Sequence, residues 1–555
     1  MKISRIVIDN YKSIQHIDIN LSEKVNALIG ENSVGKSNIL SALEWMLGPI
    51  YPSFNNFSKE DYYRGNTNLH VSIIICFDDG NFLQLTNRWH DYRGTERSGL
   101  NINGKDFISD DVRKKYISAF VGADRKINEN PATNRWTLLG RLLRDINDRF
   151  MEETLIDENG VVIKKSEKFK EEMQRIRDDI LFSVTDDEGE NLMHQFIEIL
   201  QCETASQLGR TPSDFNVDLN TYDPWNLFRT LQIMVNEADT NMTFRASELG
   251  MGVQASITIA ILKAYSRLKL KNSTPIIIDE PELFLHPQGR RNFYKIICQL
   301  ADSGTQVILT THSSEFISLA RFNEIFVVRK DKEHGTYVRY ADPNKFVDDL
   351  MIRHPKVKTN TEELMLEYLN AYEGTGDSQR ASEAMFARKA ILVEGESEVL
   401  ILPYFFQLLD YDYISKGITI VRCGGKSEID RFYRLYSEFG IPCYIIFDGD
   451  SQNIGHDDEK ATIDKNHGIL RLFGCKEDFP NNKVNDRYLG FEYRLEENLN
   501  IKDIGKSKAV KLYRKVKSSI VSKDKVPSWV SELIDKVEQL PTEAESVLYH
   551  KENNT

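Results

Sequence analysis

The 555-residue sequence predicts an α/β protein of two to four domains. The first observation is an apolar strand-like segment, residues 25–29, that runs into a glycine-containing loop and an amphipathic helix. The second is the alternation of strand-like and helical segments after residue 385, which is typical of a parallel sheet. The third is a polar, Gly/Ser-containing segment at residues 374–385, as expected of a domain boundary.

The composition is that of a globular protein, with 41% hydrophobic and 28% charged residues. The sequence contains no window of about 18 apolar residues, so no membrane span is predicted. The N-terminus lacks the apolar core of a signal peptide. Six cysteines without a CxxC pair predict buried free thiols, so we expect a cytoplasmic location. A net charge of −13 disfavours nonspecific coating of nucleic acid, although a lysine-rich run lies at residues 501–525.

Residues 30–37, GENSVGKS, fit the GxxxxGK[ST] phosphate-binding loop, and the predicted strand and helix lie on its two sides. Backbone N–H groups of such a loop and the helix N-terminus bind phosphate oxygens. Lys36 is expected to reach the β- and γ-phosphates, and the Ser37 hydroxyl to ligate Mg²⁺. The loop therefore predicts a nucleotide site whose cofactor-binding residues are Gly30, Asn32, Gly35, Lys36 and Ser37.

Two later strand-like segments end in polar residues that suit the same nucleotide site. The segment TPIIIDE, residues 274–280, ends in Asp279, which suits the Mg²⁺ shell, and Glu280, which suits polarisation of the attacking water. The segment QVILTTH ends in His312, for which we favour a γ-phosphate sensor over a purely structural histidine.

A Gly-x-Gly turn with Gly250, Gly252 and Gln254 precedes a strongly apolar helix in residues 247–265. In this order, phosphate loop, Gly turn, IIIDEPE and TTH resemble the ATP-binding-cassette ATPases of the RecF, SMC and OLD type. The resemblance implies ATP as cofactor and a homodimer at least, because the Gly turn of one head then contacts nucleotide on the other. The copy here departs from Leu-Ser-Gly-Gly, with Ser247 displaced, which leaves open whether ATP is hydrolysed briskly or mainly holds a dimer.

Residues 140–235 carry no such pattern and predict a helical insertion into the ATPase head. The stretch beginning at Ser166, SEKFKEEMQRIRDDILFSV, predicts a charged amphipathic helix. The family resemblance suggests a dimerisation arm, and a plain surface insertion is an equal alternative.

A second group of acids follows strands in the C-terminal half. Glu394 and Gly395 follow an apolar strand at residues 390–393, and Asp448 and Asp450 follow another at residues 443–447. Because catalytic groups gather beyond the carboxyl ends of parallel strands, these acids are expected to cluster and to need a cation. Hard oxygen ligands favour Mg²⁺ or Mn²⁺.

One helical turn beyond Glu394, Glu398 is a plausible second ligand, whereas Glu396 is expected to face solvent. A strand followed by Glu-Gly and a later strand followed by Asp-x-Asp resemble the TOPRIM domain. An ABC-type head followed by this Rossmann-like parallel sheet resembles the OLD-family nucleases. The chain then divides into an ATPase domain (1–345), a connection (346–384), a TOPRIM domain (385–520) and a helical tail (521–555).

The resemblance implies a nuclease site with two metal ions, a further acid and a lysine. We prefer Glu496 as the acid, with Glu492 as the alternative. We prefer Lys508 as the lysine that steadies charge on the scissile phosphate, with Lys506 and Lys511 as alternatives.

The function implied is an ATP-regulated, divalent-metal-dependent DNA endonuclease of bacterial anti-phage defence. A helicase partner, as in Gabija systems, or a reverse transcriptase with its RNA/DNA product, as in retrons, is compatible with it, as is a tetramer. The alternative is a non-nucleolytic, SMC/RecF-like clamp for DNA repair. A topoisomerase-like enzyme needs a nucleophilic tyrosine on a DNA-gripping domain, and no such domain is evident.

Overall fold

The computed structural model describes most of the chain. The described residues are 1–48, 50–90, 94–104, 106–116, 118–122, 138–156, 160–208, 211–214, 222–228, 230–231, 233–237, 242–267, 275–353, 377–501 and 508–547. Within them, no helix is both long enough and apolar enough to cross a membrane.

The first part of the chain forms sixteen described strands. They are β1 Ile3–Tyr11, β2 Ile14–Asn20, β3 Val25–Ile29, β4 Ser72–Phe77, β5 Phe82–His90, β6 Glu96–Ile102, β7 Asp106–Phe107, β8 Ala119–Val121, β9 Thr154–Ile156, β10 Val162–Lys164, β11 Met234–Glu237, β12 Met242–Arg245, β13 Ile276–Ile278, β14 Val307–Thr311, β15 Ile325–Asp331 and β16 Gly335–Tyr340. Twelve of them form one mixed sheet in the order β7-β6-β5-β4-β1-β2-β16-β15-β3-β14-β13-β8.

The parallel part of this sheet positions the nucleotide site. Strands β15, β3, β14, β13 and β8 run parallel to one another. All residues of β3, β13 and β14 are buried, as expected of strands that are covered on both faces. The three strands predicted at residues 25–29, 274–280 and 306–312 are thus neighbours, and their carboxyl ends lie at one edge.

The helices up to residue 384 cover this sheet, form the insertion and lead to the C-terminal part. They are α1 Lys36–Leu47, α2 Asp110–Arg113, α3 Leu138–Glu152, α4 Lys165–Ile176, α5 Leu192–Leu208, α6 Pro224–Phe228, α7 Met251–Arg267, α8 Pro287–Asp302, α9 Pro343–Arg353 and α10 Ser378–Ala384. Helix α1 packs on one face of the sheet through Ile39 and Leu43, and α8 packs on the other through Phe293 and Ile297.

Helices α3 to α6 and the two hairpins β9–β10 and β11–β12 lie between β8 and α7, where the helical insertion was predicted. The charged helix predicted there is α4, which buries no residue and continues into a short π-helix, Arg177–Leu181. Helix α5 exposes Leu192, Phe196, Ile199 and Leu200. These positions recur at helical spacing, so one face of α5 is apolar and, among the described residues, largely exposed.

The C-terminal part is a four-stranded sheet, β17 Lys389–Val393, β18 Ile418–Arg422, β19 Cys443–Asp448 and β20 Tyr488–Phe491. Its order is β18-β17-β19-β20 and every pair is parallel, which confirms the predicted parallel sheet. Its helices are α11 Glu396–Leu408, α12 Lys426–Glu438, α13 Glu459–Leu470, α14 Leu495–Asn498, α15 Lys508–Ser519 and α16 Ser528–Gln539.

One sequence expectation needs correction. The cysteines are free, but only Cys423 and Cys443 are buried, while Cys202 is exposed on α5. Helix α10, whose Ala381 and Ala384 are buried, lies in the predicted boundary segment, and the place of that boundary stays a prediction.

Polar contacts at α9 and at the C-terminal segment help to join the two sheets. Asp349 and Arg353 of α9 form ion pairs with Arg434 and Asp430 of α12, with N–O distances of 3.0 and 2.9 Å. The second contact is the C-terminal segment, residues 541–547: Glu543 accepts a hydrogen bond from Arg339 of β16 at 2.6 Å, and Ala544 N donates to Gly440 O at 3.1 Å.

Candidate functional site

The phosphate loop lies between β3 and α1, as predicted. Gly30 and Gly35 both have positive φ, and a Cβ on either would lie 2.3 Å from an atom of β15 or β16. Only glycine allows this close approach, so the two residues set the path of the loop. Asn32 and Ser37 are exposed at its surface, with Ser37 in the first turn of α1.

Lys36 is buried beneath the loop. Its Nζ donates to Gly30 O at 2.9 Å and to Glu31 O at 2.8 Å. Burial lowers the pKa of Lys36 to about 8, against the opposing effect of Glu280, Glu282 and Asp279. The ammonium group is therefore held by backbone carbonyls within electrostatic reach of these acids, and a phosphate would add to its coordination.

The acids that follow β13 meet the end of β14. Asp279 accepts a short hydrogen bond from the Thr310 hydroxyl, and Glu280 Oε1 lies 3.6 Å from His312 Nε2. Burial and Lys36 lower the pKa of His312, while Glu280 opposes them. The predicted nucleotide residues Lys36, Asp279, Glu280 and His312 thus lie within electrostatic reach of one another.

Glu282 is a member of this site for which sequence analysis gave no role. It is buried, and its two carboxylate oxygens accept from Thr311 Oγ1 at 2.8 Å and from His312 N at 2.6 Å. Glu282 therefore joins the end of β14 to the turn after β13 and fixes the backbone of His312. Glu282 lies two positions beyond Glu280 in the DEPE segment, whereas the prediction considered only the residues directly at the strand end.

The Gly turn differs from its predicted form. Helix α7 begins at Met251, so Gly252 lies inside its first turn and only Gly250 precedes it. The Gln254 side chain is buried and donates to Leu249 O at 2.8 Å and Ser247 O at 3.3 Å. In this chain Gln254 stabilises the turn itself, and any contact of Gly250, Gly252 or Gln254 with nucleotide stays a prediction.

At the carboxyl edge of the second sheet, four acids form what we call the carboxylate cluster: Glu394, Glu398, Asp448 and Glu496. Glu394 follows β17, and Asp448 is the last residue of the adjacent strand β19. The Glu394 carboxylate accepts a hydrogen bond from Asp448 N at 3.3 Å. Glu398 accepts from Gly395 N at 3.1 Å, and Asp448 accepts from Leu495 N at 2.9 Å. Glu398 and Glu496 are buried, while Glu396 is exposed as predicted.

The cluster is short of positive charge. Burial raises the pKa of Glu394, with Lys426 opposing it. Burial, together with Glu394 and Glu496, raises the pKa of Glu398 to about 7. Burial and the three other carboxylates raise the pKa of Asp448 well above its ordinary value.

Asp450 differs from these acids, although we predicted it as their partner. Its Oδ2 lies 2.8 Å from Lys426 Nζ, and its Oδ1 lies 2.9 Å from Arg494 Nε. Burial alone raises the pKa of Asp450, but hydrogen bonds from Lys426, Arg494 and Gln452 lower it overall. Asp450 is therefore already compensated by the protein's own cations.

Lys426 and Arg494 are absent from the sequence-based site. Lys426 follows Gly424 and Gly425 after β18, so the strand-end rule used for Glu394 would have found it if applied to that strand. Arg494 had no comparable signal, because its partner Asp450 lies 44 positions away in the chain.

The remaining predictions for this site have mixed outcomes. Glu496 acts electrostatically on Glu398 and Asp448, whereas Glu492 donates its N–H to Asn482 and is half-buried. Lys506 and the side chain of Lys508 lie outside the described residues. Lys511 is exposed on α15, which packs against α11.

The carboxylate cluster fits a divalent cation in chemistry. Its oxygens are hard ligands of the kind that bind Mg²⁺ and Mn²⁺, and burial with mutual repulsion raises their pKa values, which a bound cation would oppose. Across the described part of the chain, no three acidic, imidazole or thiol groups already converge as a ligand set.

Comparison with known families matches both halves of the chain. The AAA ATPase domain family matches residues 1–119 and 86–317. The "Overcoming lysogenization defect protein-like, TOPRIM domain" family matches residues 385–450.

Three curated relatives extend over most of the chain. It is 27% identical over 548 residues to the OLD nuclease of Thermus scotoductus, covering 91% of this chain and 96% of that protein. It is 22% identical over 488 residues to the Old nuclease of Escherichia phage P2, covering 81% and 77%. It is 22% identical over 465 residues to the endonuclease GajA of Bacillus cereus VD045, covering 81% and 75%.

An AAA ATPase domain followed by a TOPRIM domain defines the class of protein. Over residues 1–317 the chain belongs to the AAA ATPase domain family, and an OLD-like TOPRIM domain follows. Together with the OLD nuclease and GajA relatives, these two domains support an endonuclease joined to an ATPase.

Proposed function

We propose that this chain is an ATP-regulated, divalent-metal-dependent DNA endonuclease of bacterial anti-phage defence. The observation that carries the proposal is the carboxylate cluster at the edge of β17 and β19, which lacks positive charge in the same chain that holds a phosphate loop. We assign the ATPase to residues 1–345, the connection to 346–384, the nuclease to 385–520 and a helical tail to 521–555. We also propose a cytoplasmic location.

Glu394, Glu398, Asp448 and Glu496 are the proposed holders of Mg²⁺ or Mn²⁺, with Asp450 beside them. When bound, such ions activate a water molecule and stabilise the leaving oxygen of the phosphodiester. The backbone N–H groups of Gly395 and Leu495 orient Glu398 and Asp448 before any ion arrives. In the ATPase, Lys36 binds the phosphates, Ser37 and Asp279 serve the nucleotide's Mg²⁺, and Glu280 with His312 acts at the γ-phosphate.

A homodimer is the proposed assembly, and a second copy of α5 is the proposed partner of its apolar face. Leu192, Phe196, Ile199 and Leu200 are between 40% and 63% exposed, which favours burial against another molecule. Two heads also supply a Gly250–Gly252 turn to each other's nucleotide, as expected from the family. Phe196→Glu with Ile199→Glu should give monomers in light scattering, while an exposed polar control on α4, Glu171→Lys, should not.

Partners beyond a second copy are proposed only as classes. DNA is the proposed substrate. A helicase in a Gabija-like system, or a reverse transcriptase with its RNA/DNA product, are the two candidate partners. Co-purification from cells that express the neighbouring genes would separate these possibilities from a nuclease that acts alone.

The decisive experiment uses the full chain and supercoiled plasmid, with Mg²⁺ or Mn²⁺ and with or without ATP. Glu394→Ala should abolish nicking and linearisation. Glu396→Ala is the matched control, because it removes an exposed carboxylate two positions away from the cluster. Equal cleavage by the wild type and Glu394→Ala would contradict the proposal, and an inert wild type that still binds DNA with ATP would favour the clamp.

A further inference from the structure

Arg494 lies in the middle of the nuclease site along the chain. It is the residue before α14, with extended backbone. The next N–H, that of Leu495, donates to Asp448, and the following residue, Glu496, belongs to the carboxylate cluster. The guanidinium of Arg494 is therefore placed beside the acids by the same turn that orients two of them.

The position of this guanidinium is fixed from below by a buried network. Asp450 accepts from Arg494 Nε at 2.9 Å and from Lys426 Nζ at 2.8 Å. Lys426 is 4% exposed and also donates to Asn466 Oδ1 at 3.1 Å. Asn466 is fully buried, and its amide group donates to Gly449 O at 2.9 Å.

The two cations of this network differ in exposure. Lys426 is enclosed, so it cannot reach a molecule bound outside. The Arg494 side chain is 42% exposed, and Asp450 engages it through Nε. A guanidinium has five N–H donors in a planar fork, so the outer edge of Arg494 remains available to a planar pair of oxygen acceptors.

We propose that Arg494 is a catalytic residue that binds a phosphate of the DNA strand at the carboxylate cluster. The inference rests on the proposed function and adds a substrate contact to it. Four carboxylates repel a DNA backbone, and a fixed cation beside them offsets that repulsion. The fork of Arg494 matches two phosphate oxygens, and Asp450 serves as a positioning residue that orients it.

The experiment measures binding and cleavage separately in the full chain. Binding of a labelled duplex is measured in Ca²⁺ over a range of KCl concentrations, and plasmid cleavage is measured in Mg²⁺ or Mn²⁺. Arg494→Gln should weaken binding about fivefold and lower the slope of log affinity against log salt by about one charge. Arg494→Lys should keep the slope but cleave more slowly, because an ammonium lacks the planar fork.

Lys416→Gln is the matched control. Lys416 is 47% exposed and paired with Glu538 at 2.7 Å, but it precedes β18 and so lies at the opposite, amino edge of the same sheet. Its removal should leave the salt slope and the cleavage rate unchanged. Melting temperatures in EDTA show whether each variant folds. If Arg494→Gln does not fold, the slower cleavage expected of Arg494→Lys is the test.

An unchanged salt slope in Arg494→Gln with slower cleavage would overturn the proposal, because it would mean that Arg494 only positions Asp450. Cleavage by the wild-type protein in the same experiment would still support the proposed endonuclease function. A wild type that neither binds nor cleaves DNA would overturn the proposed function and this inference together.

Discussion

The nucleotide site and the carboxylate cluster are built alike but are incomplete in opposite ways. Both lie beyond the carboxyl ends of parallel strands, and each has a buried lysine, Lys36 in the first and Lys426 beside the second. In the nucleotide site, Lys36 is bound by carbonyl oxygens and burial lowers its pKa to about 8. In the cluster, Lys426 is paired with Asp450, and the acids around it have raised pKa values.

Burial is the largest cause of both kinds of pKa shift, because it disfavours the charged form of each group. An anion such as a phosphate would favour the charged form of Lys36. A divalent cation would favour the charged form of the carboxylates. The same chain therefore presents one site prepared for an anion and another prepared for a cation.

The largest expected contrast is between two aspartates that are two positions apart. Asp448→Asn and Asp450→Asn should each lower plasmid cleavage at least about 100-fold. In EDTA, however, Asp448→Asn should raise the free energy of unfolding, since it removes a buried repulsive charge. Asp450→Asn should lower it by about 2 kcal/mol, since it leaves Lys426 without its partner.

Urea denaturation of both variants in EDTA measures this contrast. Glu492→Gln, which changes a half-buried acid beside the cluster, is the control and should have little effect on either quantity. Shifts of the same sign in both aspartate variants would mean that Asp448 and Asp450 share one charge environment.

The anion-deficient site predicts the next largest effect. Lys36→Ala should weaken ATP binding about 100-fold, because it removes the cation that the phosphate completes. Stabilisation by ATP, about 3 kcal/mol at a hundredfold excess over Kd, should then vanish from thermal melts. Stabilisation by Mn²⁺ without ATP should persist, and its loss would show that the two sites are not independent.

Glu398 predicts a pH dependence of stability in the metal-free protein. Its pKa is about 7 in the folded chain and near its ordinary, lower value in the unfolded one, so the folded state binds this proton more tightly. The resulting stability is present at about pH 4.5 and is lost as the pH rises through 7, by about 3 kcal/mol.

Glu398→Gln should abolish this loss, because glutamine does not titrate. Chemical denaturation in EDTA at about pH 5 and pH 8 measures it for the wild type and the variant, with Glu396→Gln as the exposed control. If the wild type and Glu398→Gln lost the same stability between about pH 5 and pH 8, a cation-deficient cluster would be contradicted.

The smallest predicted effect concerns the contact between the two sites. Glu31 holds Lys36 through its backbone carbonyl, and its carboxylate pairs with Arg388, one residue before β17, at 2.6 Å. Because the pair is exposed, Arg388→Gln should move the ratio of cleavage rates with and without ATP toward one by only about threefold. Arg380→Gln on the exposed face of α10 is the control, and an equal change there would contradict a specific link.

The sequence was sufficient wherever a strand and the residue after it carry the chemistry. The phosphate loop, the ends of β13, β14, β17 and β19, and the parallel order of the second sheet all follow from apolar segments and their polar endings. It was insufficient wherever the function of a residue depends on a partner distant in the chain. Asp450 has the same sequence context as Asp448, and only the folded positions of Lys426 and Arg494 distinguish their charge states.

Local context also misled in smaller ways. The polar composition of residues 374–385 concealed the buried small residues of α10, whose Ala381 carbonyl accepts a hydrogen bond from Tyr436. The Gln254 amide donates to carbonyls of its own turn, a contact that the sequence did not predict, and its role at the nucleotide stays a prediction. Both features depend on tertiary packing that single-segment patterns do not contain.

The C-terminal segment returns the chain to the domain in which it began. Glu543 is bound to Arg339 of β16, and the neighbouring Ala544 is bound to Gly440 beyond α12. The nuclease sheet is therefore anchored to the ATPase sheet at α9, through this returning segment and by the pair of Glu31 with Arg388. One buried hydrophobic core also contains residues of β3 and of β19, so the fold itself restricts how the cutting site turns relative to the nucleotide site.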